Sequence, residues 1–290
     1  MRYVITGGCG FIGSHVVQLL KSKGKKVAII DKITNRDLID QKALLQNVQH
    51  FYMDISDPEL MEKALLPDDI VIHLAAQSHV DVSFKNPVQT TVSNVVGVHS
   101  LMAACVKRGV KKIVIMSTDE VYGSTEQIVD VNLLNPANPY SASKAAADMI
   151  VTAYKTMHPE IIITTLRSNN IAGPGQFINN IIPRFSVLGL LKKKFTLHGD
   201  GSAMRRYLWV KDAAEAIWLL AEKATKSQIY HIGHTDKFSN LEIAEKIGKY
   251  LGLKDYISFE KDRLINDTIY PADSSDMLRD FHWQPTRNLD

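Results

Sequence analysis

The sequence predicts an α/β protein built on a doubly wound parallel sheet, with a smaller and less regular C-terminal region. Three observations predict it. Short apolar runs alternate with stretches of helical periodicity through the first half of the 290 residues. Those runs are β-branched and apolar on both faces, as strands buried between two helical layers must be. After Arg167 the rhythm breaks at a Gly/Pro/Asn cluster, SNNIAGPGQ, which reads as a loop.

In chain order, strands are expected at Tyr3–Thr6, Lys26–Ile30, Val48–Tyr52, Ile70–Leu74, Lys112–Met116 and Ile161–Arg167. Helices are expected between them at Phe11–Lys23, Asp37–Gln46, Pro58–Leu66, Val88–Arg108 and Tyr140–Met157. Strict βα alternation implies right-handed crossovers and helices on both faces. Beyond the loop come a helix near Ile178–Leu191, a strand at Phe195–His198, a helix at Asp212–Lys223, a strand at Ile229–Ile232 and a helix at Asn240–Leu251. Ser239–Glu242, SNLE, has the form of a capping box at the start of that last helix. The expected division is a first domain over residues 1–170, open to recruiting strands from about 205–235, and a second region over 171–290.

Composition narrows the function classes. With 45% hydrophobic and 22% charged residues the chain has the profile of an ordinary globular protein. A formal charge of +3 is too small, and its basic residues too little interleaved with aromatics, for nucleic-acid binding. The densest basic run, Lys192–Lys194, reads as a solvated helix end. Cys9 and Cys105 lack CxxC partners, and His79 and His231 lack ligand-like spacing, so neither a disulfide framework nor a metal site is expected. The N-terminus runs directly into strand-like sequence without a signal peptide, and no apolar stretch reaches the ~20 residues needed to cross a bilayer, so a cytoplasmic protein is expected.

Chemistry concentrates at three places. TGGCGFIGS joins the first strand to the first helix, with Gly7, Gly10 and Gly13 spaced GxxGxxG. Glycines there permit a tight turn and close backbone approach to a pyrophosphate, while the helix N-terminus offers free N–H groups. This is the phosphate cradle of a Rossmann dinucleotide site. Asp31 closes the second strand, where a carboxylate accepts from a ribose 2′-OH and repels a 2′-phosphate; NAD is therefore expected over NADP, with Lys32 and Arg36 as the opposing signal. Tyr140 and Lys144 lie one helical turn apart and share a face. An ammonium there is expected to lower the phenol's pKa, so that Tyr140 takes a proton from a sugar hydroxyl. Finally, STDEVYG sets Asp119 and Glu120 at the end of a buried strand, a costly place for two acids. Neighbours on a regular strand point to opposite faces, so both reach one pocket only if the backbone turns by about Thr118.

TGGxGFIGS, HLAAQSHVD, STDEVYG, NPYSASKAAAD, RSNNIAGPGQF, HGDGSAMRRYLWVKDAAEA, IYHIG and DRLINDTIYPAD together resemble the extended short-chain dehydrogenase/reductase superfamily. Within it the TDE triplet is similar to that of the nucleotide-sugar 4,6-dehydratases, best known acting on dTDP-glucose or UDP-glucose. The resemblance runs from Tyr3 to Trp283. It implies oxidation of a sugar at C4 by NAD⁺, loss of water across C5 and C6, and return of the hydride to C6. By motif position Glu120 would be the base at C5, Asp119 the acid at the C6 hydroxyl, and Thr118 a hydrogen-bond partner of the C4 oxygen beside Tyr140 and Lys144.

The resemblance also implies cofactor contacts from Gly7, Gly10, Phe11, Ile12, Gly13, Asp31, Lys32, Asp54, Ile55, Leu74, Ala75, Ala76, Ser78, Ser93, Ser117, Tyr140, Lys144 and Asn170. Substrate contacts would come from Ser78, Thr118, Asn169, Asn180, Ile181, Arg205, His231, Arg263 and Asn266, Arg205 meeting the diphosphate. A homodimer joined through Val88–Arg108 and Tyr140–Met157 is the implied assembly. Departures from the family pattern fall around the nucleotide: Gln77, Asn179, Asn180, Ala203 and His231 stand where Glu, a Glu-Lys pair, Gln or Asn, and Asn are common. Uracil and thymine both stay open. Family members usually carry a further helix beyond the point corresponding to Asp290. A UDP-glucuronate decarboxylase or 4-epimerase of the same fold is the first alternative, although those relatives lack an acid at Asp119; a non-enzymatic dinucleotide sensor is the second.

Overall fold

The structure is a computed structural model that describes residues 1–33, 41–128, 130–261, 270–271 and 273–289. Its first half alternates strands and helices. β1 (Arg2–Thr6), α1 (Phe11–Ser22), β2 (Val27–Ile30), α2 (Gln41–Leu45), β3 (Gln49–Phe51), α3 (Pro58–Ala64) and β4 (Asp69–His73) come first. Then follow α4 (Val80–Lys85), α5 (Pro87–Thr91), a π turn (Val92–Val96), α6 (Gly97–Arg108), β5 (Lys112–Met116), a 3₁₀ turn (Asp119–Tyr122), α7 (Pro139–Met157) and β6 (Ile162–Ser168). The remainder comprises β7 (Asn170–Ala172), α8 (Ile181–Leu190), β8 (Phe195–His198), β9 (Met204–Trp209), α9 (Val210–Lys223), β10 (Ile229–Ile232), β11 (Lys237–Ser239), α10 (Asn240–Tyr250), β12 (Ile257–Glu260) and α11 (Ser275–Phe281).

Seven strands form one sheet in the order β10-β6-β5-β4-β1-β2-β3, every neighbouring pair parallel. Strand periodicity explains why both faces are covered. Tyr3, Ile5, Ile29, Ile70, Ile72 and Val114 enter one core with α1 and α9, while Val4, Ala28, Ile30, Val71, Ile113 and Ile115 enter another with α3, α6 and α7. Each fully buried Ile or Val contributes roughly 1.5–3 kcal/mol, so the alternation fixes register as well as stability. Chain order reverses between β1 and β4, which opens a crevice beyond their C-terminal ends, the place where open α/β sheets bind ligands.

The rest of the chain forms two small sheets over that crevice. β9 lies between β7, parallel, and β11, antiparallel; β8 pairs with β12. Phe185 and Phe195 stack at 4.8 Å under α8. Ser239 and Glu242 form the expected capping box, Glu242 N donating to Ser239 Oγ at 3.0 Å and Ser239 N to Glu242 Oε2 at 2.6 Å.

Two expectations need correction. The segment 168–176 is not all loop, since Asn170–Ala172 is β7, paired with β9. Val88–Arg108 is not one regular helix, for α5 passes through the π turn before α6. The turn follows from Asn94, which is buried with a polar amide to satisfy. Its Oδ1 accepts from Gln77 N at 2.7 Å, and its Nδ2 donates to Gln77 O and Ser143 Oγ at 2.9 Å. The widened turn fastens the β4–α4 connection to α7 and brings Ser93 to the crevice.

Candidate active site

The crevice is a cavity of about 870 Å³. At one end lies the glycine turn. Gly7 has φ +70°, and a Cβ there would lie 2.7 Å from the Ala75 backbone. On Gly13 a Cβ would meet Gly7 O at 2.1 Å. Side chains at either position would collide with the chain's own backbone, so glycine is what lets the turn, the end of β4 and the start of α1 pack this closely beside the open space of the crevice. Gly10 caps α1, whose first N–H groups face that space. Asp31 accepts from Cys9 N at 2.9 Å and Ile33 N at 2.7 Å, which ties the end of β2 to the glycine turn and leaves lone pairs on both oxygens. Lys32 pairs with Asp54 at 2.8 Å, so its ammonium is held away from a phosphate role beside Asp31. Arg36 lies outside the described residues. The cradle, the helix N-terminus and the carboxylate fit a pyrophosphate-linked dinucleotide with a free ribose 2′-OH.

The acids come from the β5 end. Strand pairing stops at Met116, and Thr118, still extended at φ −143°, caps the 3₁₀ turn by accepting from Glu120 N at 3.3 Å. The backbone therefore turns by Thr118 as expected, but it brings only Glu120, not both acids, to the cavity. Glu120 is half-buried on the cavity wall, 3.4 Å from Asn138 Nδ2. Asp119 lies one side chain behind that wall. Asn169 Nδ2 donates to its Oδ2 at 2.5 Å and Thr118 Oγ1 to its Oδ1 at 3.3 Å, and both partners line the cavity. Burial, with Glu120's charge adding to it and the two hydrogen bonds opposing, pushes the Asp119 carboxyl up to about 8. It holds a proton at neutral pH while Glu120 faces the cavity.

Tyr140 and Lys144 are buried on α7, which Asn138 caps through a capping box with Ser141. Both line the cavity. Lys144 Nζ donates to Met116 O at 2.7 Å, pinning α7 to the end of β5. The expected lowering of the phenol's pKa by Lys144 is not found. Burial first, then the charge on Glu120, push Tyr140 well above its ordinary value, and a hydrogen bond with Thr118 opposes them. Lys144 is itself held below its ordinary value by burial, with Asp148 acting the other way.

Of the residues expected at the cofactor, all line the cavity: Gly7, Gly10, Phe11, Ile12, Gly13, Asp31, Lys32, Asp54, Ile55, Leu74, Ala75, Ala76, Ser78, Ser93, Ser117, Tyr140, Lys144 and Asn170. Thr118, Asn169, Asn180, Ile181 and Arg205 line it too. His231 does not. Its Nε2 bonds Tyr122 OH at 2.7 Å inside the protein, because β10 pairs it with Arg167 and turns its ring onto Tyr122. Arg263 and Asn266 lie outside the described residues. The sequence reading missed Asn94, Asn138, Arg184 and Tyr207, of which the last three line the cavity. Only Asn138 had a local signal, since N-P-Y-S is a helix start with a serine three residues after the cap.

The sequence model for GDP-mannose 4,6 dehydratase matches residues 4–290. The chain belongs to the GDP-mannose 4,6 dehydratase family. That is consistent with the extended short-chain dehydrogenase/reductase superfamily that the motifs resemble, and the fold is the one this family uses. A dTDP-D-glucose 4,6-dehydratase of Dictyostelium discoideum is 39% identical over 267 residues, covering 85% of this chain and 61% of the relative. The chain thus spans less than two thirds of that protein, and under half of three trifunctional UDP-glucose 4,6-dehydratases of Arabidopsis thaliana. Among solved structures, a dTDP-glucose 4,6-dehydratase of Streptomyces venezuelae with NAD bound superposes with a TM-score of 0.92 at 30% identity, covering 100% of this chain and 93% of that one. A UDP-glucose 4-epimerase of Thermotoga maritima with UDP-glucose gives 0.92 at 26%, covering 100% and 95%. Family members with different outcomes therefore share this fold, and the site must decide between them. Among the described residues no group of three or more His, Cys, Asp or Glu is arranged to hold a metal ion, and no helix is long and apolar enough to cross a membrane.

Proposed function

We propose that the chain is a nucleotide-diphosphate-glucose 4,6-dehydratase, converting its substrate to the 4-keto-6-deoxy sugar by a redox-neutral loss of water. One observation carries the reading. Glu120 stands on the cavity wall beside Tyr140 and Thr118, and directly behind it the buried Asp119, whose carboxyl is pushed up to about 8, is held by two cavity-lining side chains, Thr118 and Asn169. Elimination across C5 and C6 needs such a pair, whereas 4-epimerisation and decarboxylation call for no acid at C6.

The glycine cradle and Asp31 would hold NAD, which when bound would supply a hydride acceptor for C4 and donor for C6. The side chains do the proton work. Thr118 and Tyr140 would hold the C4 oxygen, and Tyr140 would take its proton once the positive charge of bound NAD⁺ offsets the burial that raises the phenol in its absence. Lys144, fixed by Met116 O, sets the depth of α7. Once C4 is a ketone the C5 proton is acidic, and Glu120 takes it, returning it to C5 as hydride reaches C6. Asp119 would protonate the departing C6 hydroxyl by relay, the Thr118 hydroxyl giving its proton to that oxygen and taking the one Asp119 holds. Such placed acids and bases typically contribute ~10²–10⁴-fold each. Arg205, which lies 5.3 Å from the Tyr270 ring, meets the diphosphate, with Asn180 and Ile181 along the nucleotide and Ser78 along the sugar.

The names of relatives favour both dTDP-glucose and UDP-glucose, and the reading includes both. A homodimer through α5, the π turn, α6 and α7 accompanies it, supported by exposed Val88, Val96, Met149 and Met157 on those elements. A cytoplasmic setting accords with two free cysteines. The deciding experiment incubates the protein with NAD and, separately, UDP-glucose, dTDP-glucose and UDP-glucuronate, and weighs the products. Loss of water without net reduced cofactor is expected from one of the glucose nucleotides. Loss of CO₂, or an isomer of unchanged mass, would replace the reading with a decarboxylase or an epimerase.

A further inference from the structure

Behind the acid-bearing turn lies a buried ionic cluster that the reaction above does not use. Arg167 on β6 pairs with Asp148 on α7, Nε to Oδ2 at 2.9 Å, with side-chain exposures of only 2% and 4%. Ser117 Oγ donates to the same Asp148 oxygen at 2.9 Å. Arg167 Nη1 donates to Tyr122 OH at 2.5 Å and to Val131 O at 2.6 Å, and the guanidinium lies 4.8 Å from the Tyr122 ring. Tyr122 OH in turn meets His231 Nε2. Ser117 and Tyr122 bracket Thr118, Asp119, Glu120 and Val121. A single ion pair thus ties down both ends of the segment that carries the acids. It also ties that segment to its partners. Asp148 is one helical turn beyond Lys144, and Arg167 stands two residues before Asn169, which holds Asp119.

A buried ion pair is weak evidence for stability, because apolar residues of similar volume often do as well. Its hold on both flanks of the segment 118–121, at Ser117 and Tyr122, calls for a different account. We infer that the Asp148–Arg167 pair, acting through Ser117 and Tyr122, is a brace that positions Asp119 and Glu120 for the elimination step. These are positioning residues, since neither Asp148 nor Arg167 lines the cavity, and Asp148 touches its wall only through Ser117. The inference rests on the dehydratase reading for its kinetic form and on the turn geometry alone for its structural form, and the two are tested apart.

The variant is Tyr122→Phe, which keeps volume and removes the hydroxyl that Arg167 holds. Wild type first establishes which glucose nucleotide is dehydrated. Single-turnover absorbance of reduced nicotinamide then follows oxidation, and deuterium uptake at C5 from D₂O follows elimination. Elimination is expected to slow about 10- to 100-fold, as misplacement of reacting groups by about 1 Å does, with oxidation and nucleotide-diphosphate affinity unchanged, so that reduced nicotinamide accumulates. Equal slowing of both steps, or no slowing of either, overturns the brace. Hydrogen exchange on the protein without substrate gives the independent readout. Amides of residues 119–123 are expected to exchange faster in the variant while those of α7 do not, and unchanged exchange at 119–123 overturns the inference even if wild type proves not to be a dehydratase. Should Tyr122→Phe fail to fold, Arg167→Lys keeps the charge, loses the fork that reaches Tyr122, and is expected to give the same split.

Discussion

Glu120 and Asp119 are adjacent in the chain and lie in different surroundings. Glu120 reaches the cavity; Asp119 is covered by Thr118 and Asn169. Replacing Glu120 with Gln should lower turnover at least ~10²-fold while NAD and nucleotide binding, measured by calorimetry, persist. Unimpaired turnover would remove Glu120 as the base. Asp119 sets a pH limit. Its carboxyl is pushed up to about 8, so the acid form is present below that value and lost above it. The rate of elimination should fall as pH rises through about 8, and Asp119→Asn should be slow at every pH with that limb gone. At this scale the sequence was informative where chemistry is local. YxxxK, TDE and the glycine spacing each led to residues that line the crevice or adjoin its wall. His231 misled, because its position in IYHIG says nothing about which way β10 turns its ring; only pairing with β6 decides that. The pKa direction at Tyr140 was misjudged for a related reason, since a Lys one turn away is legible and the burial that outweighs it is not.

Elements whose code is local were likewise readable. The strands of the large sheet carry apolar residues on both faces, and the helix starts carry caps. Removing one cap is a direct check. Ser239→Ala should cost about 0.5–2 kcal/mol, seen as a lowered denaturation midpoint without a change in slope. The glycine turn is less tolerant. A methyl at Gly13 would meet the backbone oxygen of Gly7 at 2.1 Å, so Gly13→Ala should displace α1 from β1 and weaken NAD binding at least tenfold, with a stability loss on the order of 1–3 kcal/mol. Retained NAD affinity would show that the cradle is not the phosphate site. By contrast β7, β9, β11 and β12 were not called. MRRYLW carries two arginines and NIA is three residues in a glycine-rich stretch. Such strands exist because partners arrive from distant sequence, which no local pattern reports. The π turn was hidden for the same reason, since Asn94 acquires its purpose only when Gln77 and Ser143 are beside it.

For the whole molecule, buried titratable groups shape stability on both sides of neutrality. His73 and His231 are held by burial at about 3 and about 4, below 6.5. Below 6.5 the unfolded chain takes up protons that the folded chain refuses. The stability these groups protect is whole above 6.5 and is lost as pH falls toward 4 and then 3, by up to about 1.4 kcal/mol per pH unit for each imidazole. Asp119 has the opposite sign. From 3.8 to about 8 the folded chain keeps a proton that the unfolded chain releases, so stability from this group declines as pH rises through that window. Melting temperature against pH should show both limbs. Asp119→Asn should flatten the fall between 6.5 and about 8 and steepen the rise below 6.5, where Asp119 opposes the imidazoles; an unaltered fall would contradict the buried, protonated acid.

The central claim is that one crevice oxidises, dehydrates and reduces a single sugar without releasing the hydride. A glucose nucleotide deuterated at C4 tests it most directly, with the product examined by mass and by NMR. The account predicts a product that has lost water and carries the deuterium at C6. Deuterium washed out, or still at C4 in a sugar that has kept its C6 oxygen, would contradict it.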